Sequence, residues 1–376
     1  MEIFVYSKEM ELLGVADEII SLIWTRRYWS PGEFKLLVPF SEKHRELFSP
    51  GHIIIRGGDD EAAEIRYIHI SRDSSGAEQI EAQGKFITQW VGKRMLVYSD
   101  NTITGSSQEL MHKVIDLSIM GTYDYTGAIP RLAYDHKEET IPGSSYTVCP
   151  EEGANALDVL ESIAKGAKLG FRIRTDRREG FHYFSVYKGK DRTDEQSDYP
   201  QLVFSTADGD ILEQDFTHSV ENVRNFAFVT GDKSVSGLGV WVPGHNAYWG
   251  HDRDDLYISL PEISLNTYLE SGLSKSEAEK AYKEELARQG QKILDEYDEN
   301  MSFHGRLNTR GRYRYRRDFD VGDRVTCLDS RWGIKRNVRI TEATQTFQQN
   351  GEELELTFGE SMPTLLNRIK QIARGR

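Results

Sequence analysis

Residues 244–255, GHNAYWGHDRDD, gather two histidines, three aspartates and two aromatic residues into a dozen positions. Imidazoles and carboxylates at that density are the raw material of a metal site or of general acid–base catalysis. The spacing favours neither. His245 and His251 stand six apart, whereas a zinc site on a helix needs histidines at i and i+4, and a structural site needs cysteines. Pro243, Gly244 and Gly250 prevent one continuous helix, so the side chains need not converge. A polar aromatic surface loop is the simpler reading. In its ligand-binding version, Trp241, His245, Tyr248, Trp249, His251 and Asp252 contact a glycan, or serve a cell-wall-acting hydrolase.

Other catalytic patterns are missing or have a plainer cause. There is no G-x-S-x-G nucleophile elbow, and Gly105-Ser106-Ser107 is explained by a helix cap. Cys149 and Cys327 form no ligand or redox spacing and read as small apolar side chains. Adjacent acids such as Asp59-Asp60 and Glu151-Glu152 are expected when 60 residues are acidic. The glycines of GDKSVSGLG at 231–239 lack the lysine-serine ending of a phosphate loop and read as a hairpin tip. No catalytic residue, metal or cofactor is expected.

The charge distribution is more informative. The chain carries a formal net charge of −13, yet residues 306–317, RLNTRGRYRYRR, hold six arginines and no acid. As a strand, this stretch places Arg312, Arg314 and Arg316 on one face and Tyr313, Tyr315 and Arg317 on the other. Arginine interleaved with aromatics can grip single-stranded nucleic acid. The acidic balance opposes general phosphate binding. Arginine and tyrosine are also enriched at protein interfaces, and that reading is preferred.

These residues need a scaffold of two or three domains, given 376 residues. Residues 1–104 read as a β-barrel-like domain. The segments MEIFVY, GVADEIISLIWTRRYW, GEFKLLVPF, GHIIIRGG, EIRYIHISRD and EQIEAQGKFI alternate between turns such as Ser30-Pro31-Gly32 and Ser49-Pro50-Gly51. Residues 105–199 read as an α/β insert. Ser106 and Glu109 form a capping box, Asn155 caps a second helix, and FRIRTD and FHYFSVYKG flank the turn RREG. Residues 200–360 read as a second β-barrel-like domain that includes an amphipathic helix over 274–300, with Ser276 and Glu279 as its capping box. Residues 361–376 read as a basic C-terminal helix. The fold class is α+β, mostly β. No run approaches the roughly 20 apolar residues of a membrane span, and the N-terminus reads as a strand rather than a signal peptide.

Five stretches, in order along the chain, resemble the tail-hub (baseplate hub) proteins of long-tailed phages and prophages, including the N-terminal hub part of tail-associated lysins. They are SLIWTRRYW at 21–29 running into PGEFKL at 31–36, GKF at 84–86 with Lys93-Arg94, VYKG at 186–189 with Asp191-Arg192 and VFS at 203–205, FDVGDRV at 319–325, and LTFG at 356–359. The resemblance implies a non-enzymatic virion protein at the tail tip, made in the bacterial host cytoplasm. It implies a homotrimer in which each chain supplies two related barrels, so that a pseudo-sixfold ring joins the tail tube to the tip. Partners would be copies of itself, tail tube or distal tail proteins, and tip or fibre proteins, with DNA passing only as cargo. Under that reading Arg312, Tyr313, Arg314, Tyr315 and Arg316, with Trp24, Arg26 and Arg27, are expected at a subunit or tail-tube interface.

Overall fold

The computed structural model describes residues 1–97, 103–121, 125–148, 150, 152–232, 238–244, 249–261, 263–297, 299–349 and 351–359. The helix expected over 361–376, and Cys149, lie outside them. The described chain divides into two compact units. One joins Met1–Asp215 to His304–Gly359, and the other comprises Phe216–Phe303.

A long, almost wholly antiparallel sheet dominates the first unit. Its path runs Leu12–Ala16, Ile3–Tyr6, Ile53–Arg56, Ala62–Arg72, Glu78–Phe86, Glu33–Pro39, Ser21–Arg27, Ile334–Gln348 and Gly351–Gly359, then the first-unit parts of the strands Asn300–Leu307 and Ile211–Ser219. Arg324–Asp329 adds to Ile334–Gln348, and Val203–Ser205 runs parallel to it. The chain is α+β and mostly β, as the alternation implied. The described path is open at both ends, however, so no closed barrel forms among the described residues. The N-terminal and C-terminal strands share one sheet, joined where Trp24 lies opposite Gln345 and Arg27 opposite Glu342. The stretch read as one strand from Gly14 to Trp29 is two, Leu12–Ala16 and Ser21–Arg27.

The stretches that carry the family resemblance are packing sites. A Cβ on Gly32 would stand 2.3 Å from the Thr25 carbonyl oxygen, and one on Gly84 would stand 1.9 Å from that of Glu64. Only glycine lets these backbones approach so closely. YKGKDR and FDVGDRV clasp each other: Asp323 accepts hydrogen bonds from the Lys190 backbone at 2.8 Å and from Arg192 Nε at 2.9 Å. Tyr28, fully buried, lies against Gly170 and Gly322 and donates its hydroxyl proton to the Lys168 carbonyl at 3.1 Å.

The insert forms as its caps dictate. Ser106 and Glu109 exchange the two bonds of a capping box at the start of Ser107–Ser118, and Asn155 accepts from the Leu157 backbone at 3.0 Å to start Ala156–Ala167. Leu110, Met111, Val114 and Ile115 of one helix share a core with Leu157, Leu160, Ile163 and Ala164 of the other. Each such buried aliphatic side chain contributes roughly 1.5–3 kcal/mol. The hairpin Gly170–Asp176 with Phe181–Tyr187 completes the core through Phe171, Ile173, Phe184 and Val186.

In the second unit, Phe226–Thr230 pairs antiparallel with Val240–Pro243 and parallel with Asp255–Ser259. Ala227, Val229 and Ile258 pack with Tyr282 and Leu286 of the Lys275–Leu294 helix. That helix starts two residues earlier than the expected box. In SKSEAE the pattern Ser-x-x-Glu occurs twice, and the cap is Ser274 with Glu277 rather than Ser276 with Glu279. It ends at Leu294, short of the expected residue 300, and a 3-10 turn, Asp295–Tyr297, follows.

Candidate functional site

The residues nominated from sequence fall into three settings. Trp24 and Arg26, on the Ser21–Arg27 strand, are inside the first unit. Trp24 is fully buried, its ring centroid 4.6 Å from Phe86 and 6.1 Å from Phe34. Arg26 is buried as well, bonded to Asp59 and, through Nε at 3.0 Å, to Glu61. Neither presents appreciable surface. Arg27 is half-buried and bridges Glu33 and Glu342, each at 2.6 Å.

Arg26 belongs to a buried ionic cluster that no sequence pattern announced. Asp59 also accepts from Arg56 Nη2 at 3.1 Å and from the backbone N–H groups of Asp60 and Glu61. Burial alone pushes the Asp59 carboxyl up, but Arg26 and Arg56 outweigh it and hold the group down at about 2. For Glu61 burial wins, and its carboxyl is raised despite Arg26. The Arg26 guanidinium, disfavoured by burial, is stabilised well beyond its ordinary value by Asp59 and Glu61.

The basic stretch gives residues 306–307 to the end of the strand Asn300–Leu307, but its residues 312–317 do not form the strand their alternation suggested. Its last residues form a tight turn in which the Arg316 backbone donates to the Phe319 carbonyl, the Arg314 backbone donates to Asp318 Oδ2 at 2.7 Å, and Arg316 has a φ of 66°. Acids draw the arginines in different directions, and this overrides the two-residue period. Arg312 reaches Asp208 at 3.0 Å and Asp210. Arg316 reaches Asp60 at 2.6 Å and Asp320 at 3.0 Å. Tyr313 packs edge-on against Phe204, centroids 5.3 Å apart. Tyr315 packs on Phe319 at 5.6 Å, and burial raises its phenol. Arg314 is exposed and makes no ion pair among the described residues. The stretch is therefore largely neutralised within its own chain.

The aromatic loop belongs to the second unit, where His245 and Tyr248 lie outside the described residues. On the sheet face away from the helix, Trp241 is 53% exposed and stands 5.2 Å from Phe226 and 4.6 Å from Phe228, centroid to centroid. Tyr257 continues the row at 6.4 Å from Phe228. Arg253 stacks over Phe226 at 4.0 Å and is held by Asp255 in a two-bond fork of 2.6 and 3.2 Å. Trp249, His251 and Asp252 are exposed around the 3-10 turn Gly250–Asp252. No group of three or more metal-ligating side chains occurs among the described residues. What this face can do is stack and bury apolar surface.

One further polar cleft, of about 280 Å³, lies beside the insert helix Ser107–Ser118. There His112 Nε2 is 3.0 Å from Glu138 Oε1, and Tyr134 donates to Asp116 at 2.7 Å. Among the described residues the His112 ring bonds to no hydroxyl or thiol, so no nucleophile–base contact of covalent catalysis is seen there. Cys327 is buried, and desolvation raises its thiol, which leaves it unreactive.

This open, mostly antiparallel sheet with a helical insert is a fold that the chain shares with solved tail proteins. A tail protein from Neisseria meningitidis MC58 shares it at TM-score 0.58 and 13% identity, over 96% of each chain. The 43 kDa tail protein of prophage MuSo2 from Shewanella oneidensis does so at TM-score 0.57 and 12% identity, over 95% of this chain and 98% of that one. Prophage tail protein gp18 from Listeria monocytogenes EGD-e matches at TM-score 0.53 and 11% identity, over 100% and 99%. At these identities the likeness is one of fold. The chain belongs to the family of the Siphovirus ReqiPepy6 Gp37-like protein, whose profile matches residues 2–360. No curated protein matches it in sequence.

Proposed function

We propose that this chain is a structural component of a phage or prophage tail tip, a hub that assembles as a homotrimeric ring between the tail tube and the tip or fibre proteins. The supporting observation is the end-to-end likeness of its fold to three solved tail proteins, two of them from prophages. Its work in that role is geometric and non-enzymatic. DNA passes through the ring only as cargo, and an acidic protein suits that passage because negative walls repel phosphates. Its place is the virion tail, after assembly in the host cytoplasm. Light scattering after size exclusion is expected to give a mass near three chains, with rings around a central hole in negative stain. A monomer at every concentration, with the protein absent from purified tails, overturns the reading.

The row Phe226, Trp241, Phe228 and Tyr257 supports a second reading, a glycan-stacking surface on the Phe216–Phe303 unit. Titration of tryptophan fluorescence with soluble cell-wall fragments tests it. Saturable quenching lost in Trp241→Ala supports the reading, and an unchanged signal overturns it.

A further inference from the structure

Besides the end of the strand path at Ile211–Ser219, two further sheet edges of the first unit are open among the described residues. Leu12–Ala16 ends the strand path and bonds only to Ile3–Tyr6. Ala62–Arg72 pairs on one side with Glu78–Phe86 as far as Arg72, but on its other side meets Ile53–Arg56 only over residues 62–64. Among the described residues, the outer side of 66–72 therefore carries no strand. Such edges invite pairing with another chain, and proteins blunt them with lysine, proline, bulges or a covering element. Leu12–Ala16 has a bulge at Leu13 and the edge RYIHISR has one at its start, but neither carries a lysine or a proline. Tyr67 and Ile70 are about half exposed on it, as are Leu12 and Leu13 on the other edge.

The charges at the ends of these edges match. Arg66 and Arg72 stand six residues apart and bracket the first, while Glu11 and Asp17 stand six apart and bracket the second. Either edge paired with its own counterpart sets like charges opposite each other, which is destabilising. Paired with each other, in either strand direction, they bring both arginines to the acids at the ends of the opposite edge, while the bulges at Arg66 and Leu13 shift the residues between. Among the described residues Arg66 reaches the buried Glu64 at 3.3 Å and Arg72 the exposed Glu78 at 3.9 Å, and both guanidinium groups stay exposed. Glu11 and Asp17 are exposed and make no ion pair among the described residues.

We propose that residues 66–72 of one copy receive residues 11–17 of a second copy as an added strand. The contact is heterologous, using different patches on the two copies, and its repetition builds a ring where the rotation between copies closes. The inference rests on the ring reading above and names the surface that makes it.

The test uses the full chain with Arg66→Glu and Arg72→Glu, with Glu11→Arg and Asp17→Arg, and with all four changes. Assembly is followed by light scattering across a concentration series, and folding by thermal melting. Each double variant is expected to fold normally and to assemble at least about tenfold more weakly. The quadruple variant, with its charges exchanged, is expected to recover. Double variants that assemble like the parent overturn the proposal, as does a quadruple variant that folds and does not recover. A parent that stays monomeric also overturns it, whereas the tail-protein reading is judged separately, by the presence of the chain in purified tails.

Discussion

The Arg316 guanidinium donates to Asp60 at 2.6 Å across 256 residues of sequence. Asp320, which accepts from the same guanidinium at 3.0 Å, lies 3.9 Å from Arg172 of the insert, and Asp60 lies 3.9 Å from Arg174. The C-terminal basic turn, the insert hairpin and the turn before Ala62–Arg72 thus meet in one ionic network. Arg26, Arg56, Asp59 and Glu61 form its buried part. The network locks a discontinuous unit whose two chain segments are separated by Phe216–Phe303.

Removing one acid from that network should be costly. Asp59→Ala deprives both Arg26 and Arg56 of a partner and leaves two guanidinium groups facing each other in a poorly solvated site. Breaking a buried pair in this way costs about 3–5 kcal/mol. Urea denaturation is expected to show the loss, with a smaller one for Asp59→Asn, which keeps hydrogen-bond acceptance. A midpoint within error of the parent for Asp59→Ala would contradict the structural role given to the cluster.

The same carboxylate predicts a pH dependence. Its pKa is depressed in the fold to about 2 from an ordinary 3.8. The stability it confers is therefore fully present above pH 4 and lost as pH falls toward about 2. The difference corresponds to about 2 kcal/mol. Glu61 works in the opposite sense: burial raises its carboxyl, so its protonation on acidification favours the fold and offsets part of the loss. Urea midpoints measured from pH 6 to pH 2 should fall below pH 4, and Asp59→Asn should flatten that limb.

What the sequence disclosed, and what it did not, follows from the range of the interactions. Caps act within a turn, so the helices starting after Ser106 and Asn155 were legible. Strand alternation located most of the sheet, and the matched stretches around Tyr28, Gly189 and Asp323 turned out to hold it together. Long-range partners were not legible. Nothing near Arg26 announces that Asp59 and Glu61 bury it, and nothing in RYRYRR reveals that Asp210 and Asp60 bend it out of a strand. The aromatic row in the second unit needed three strands to assemble, and sequence offered only Trp241, Trp249 and their neighbours.

Gly290, in the middle of Lys275–Leu294, sets two general effects against each other. Replacing a mid-helix glycine by alanine ordinarily gains about 1 kcal/mol. Here a Cβ would stand 2.4 Å from Val229 Cγ2, in the core between helix and sheet. Overpacking of that kind costs about 1–3 kcal/mol. Gly290→Ala is therefore expected to lower the melting temperature. Val229→Ala in the same chain should recover part of the loss, giving a non-additive pair. A stabilised Gly290→Ala would mean that helix and sheet are less closely packed than described.

Arg312 and Arg314 separate the structural part of the basic turn from any part it plays between chains. Arg312 is held by Asp208 and Asp210, whereas Arg314 is exposed and makes no ion pair among the described residues. Arg312→Glu sets three acids together, so a fall in melting temperature is expected, and high salt should reduce it by screening the exposed charges. Arg314→Glu should leave stability within about 0.5 kcal/mol of the parent. If the turn contacts a neighbouring subunit or the tail tube, Arg314→Glu alone should weaken assembly at unchanged stability. Equal assembly of parent and Arg314→Glu, by light scattering at matched concentration, would confine the turn to its own chain.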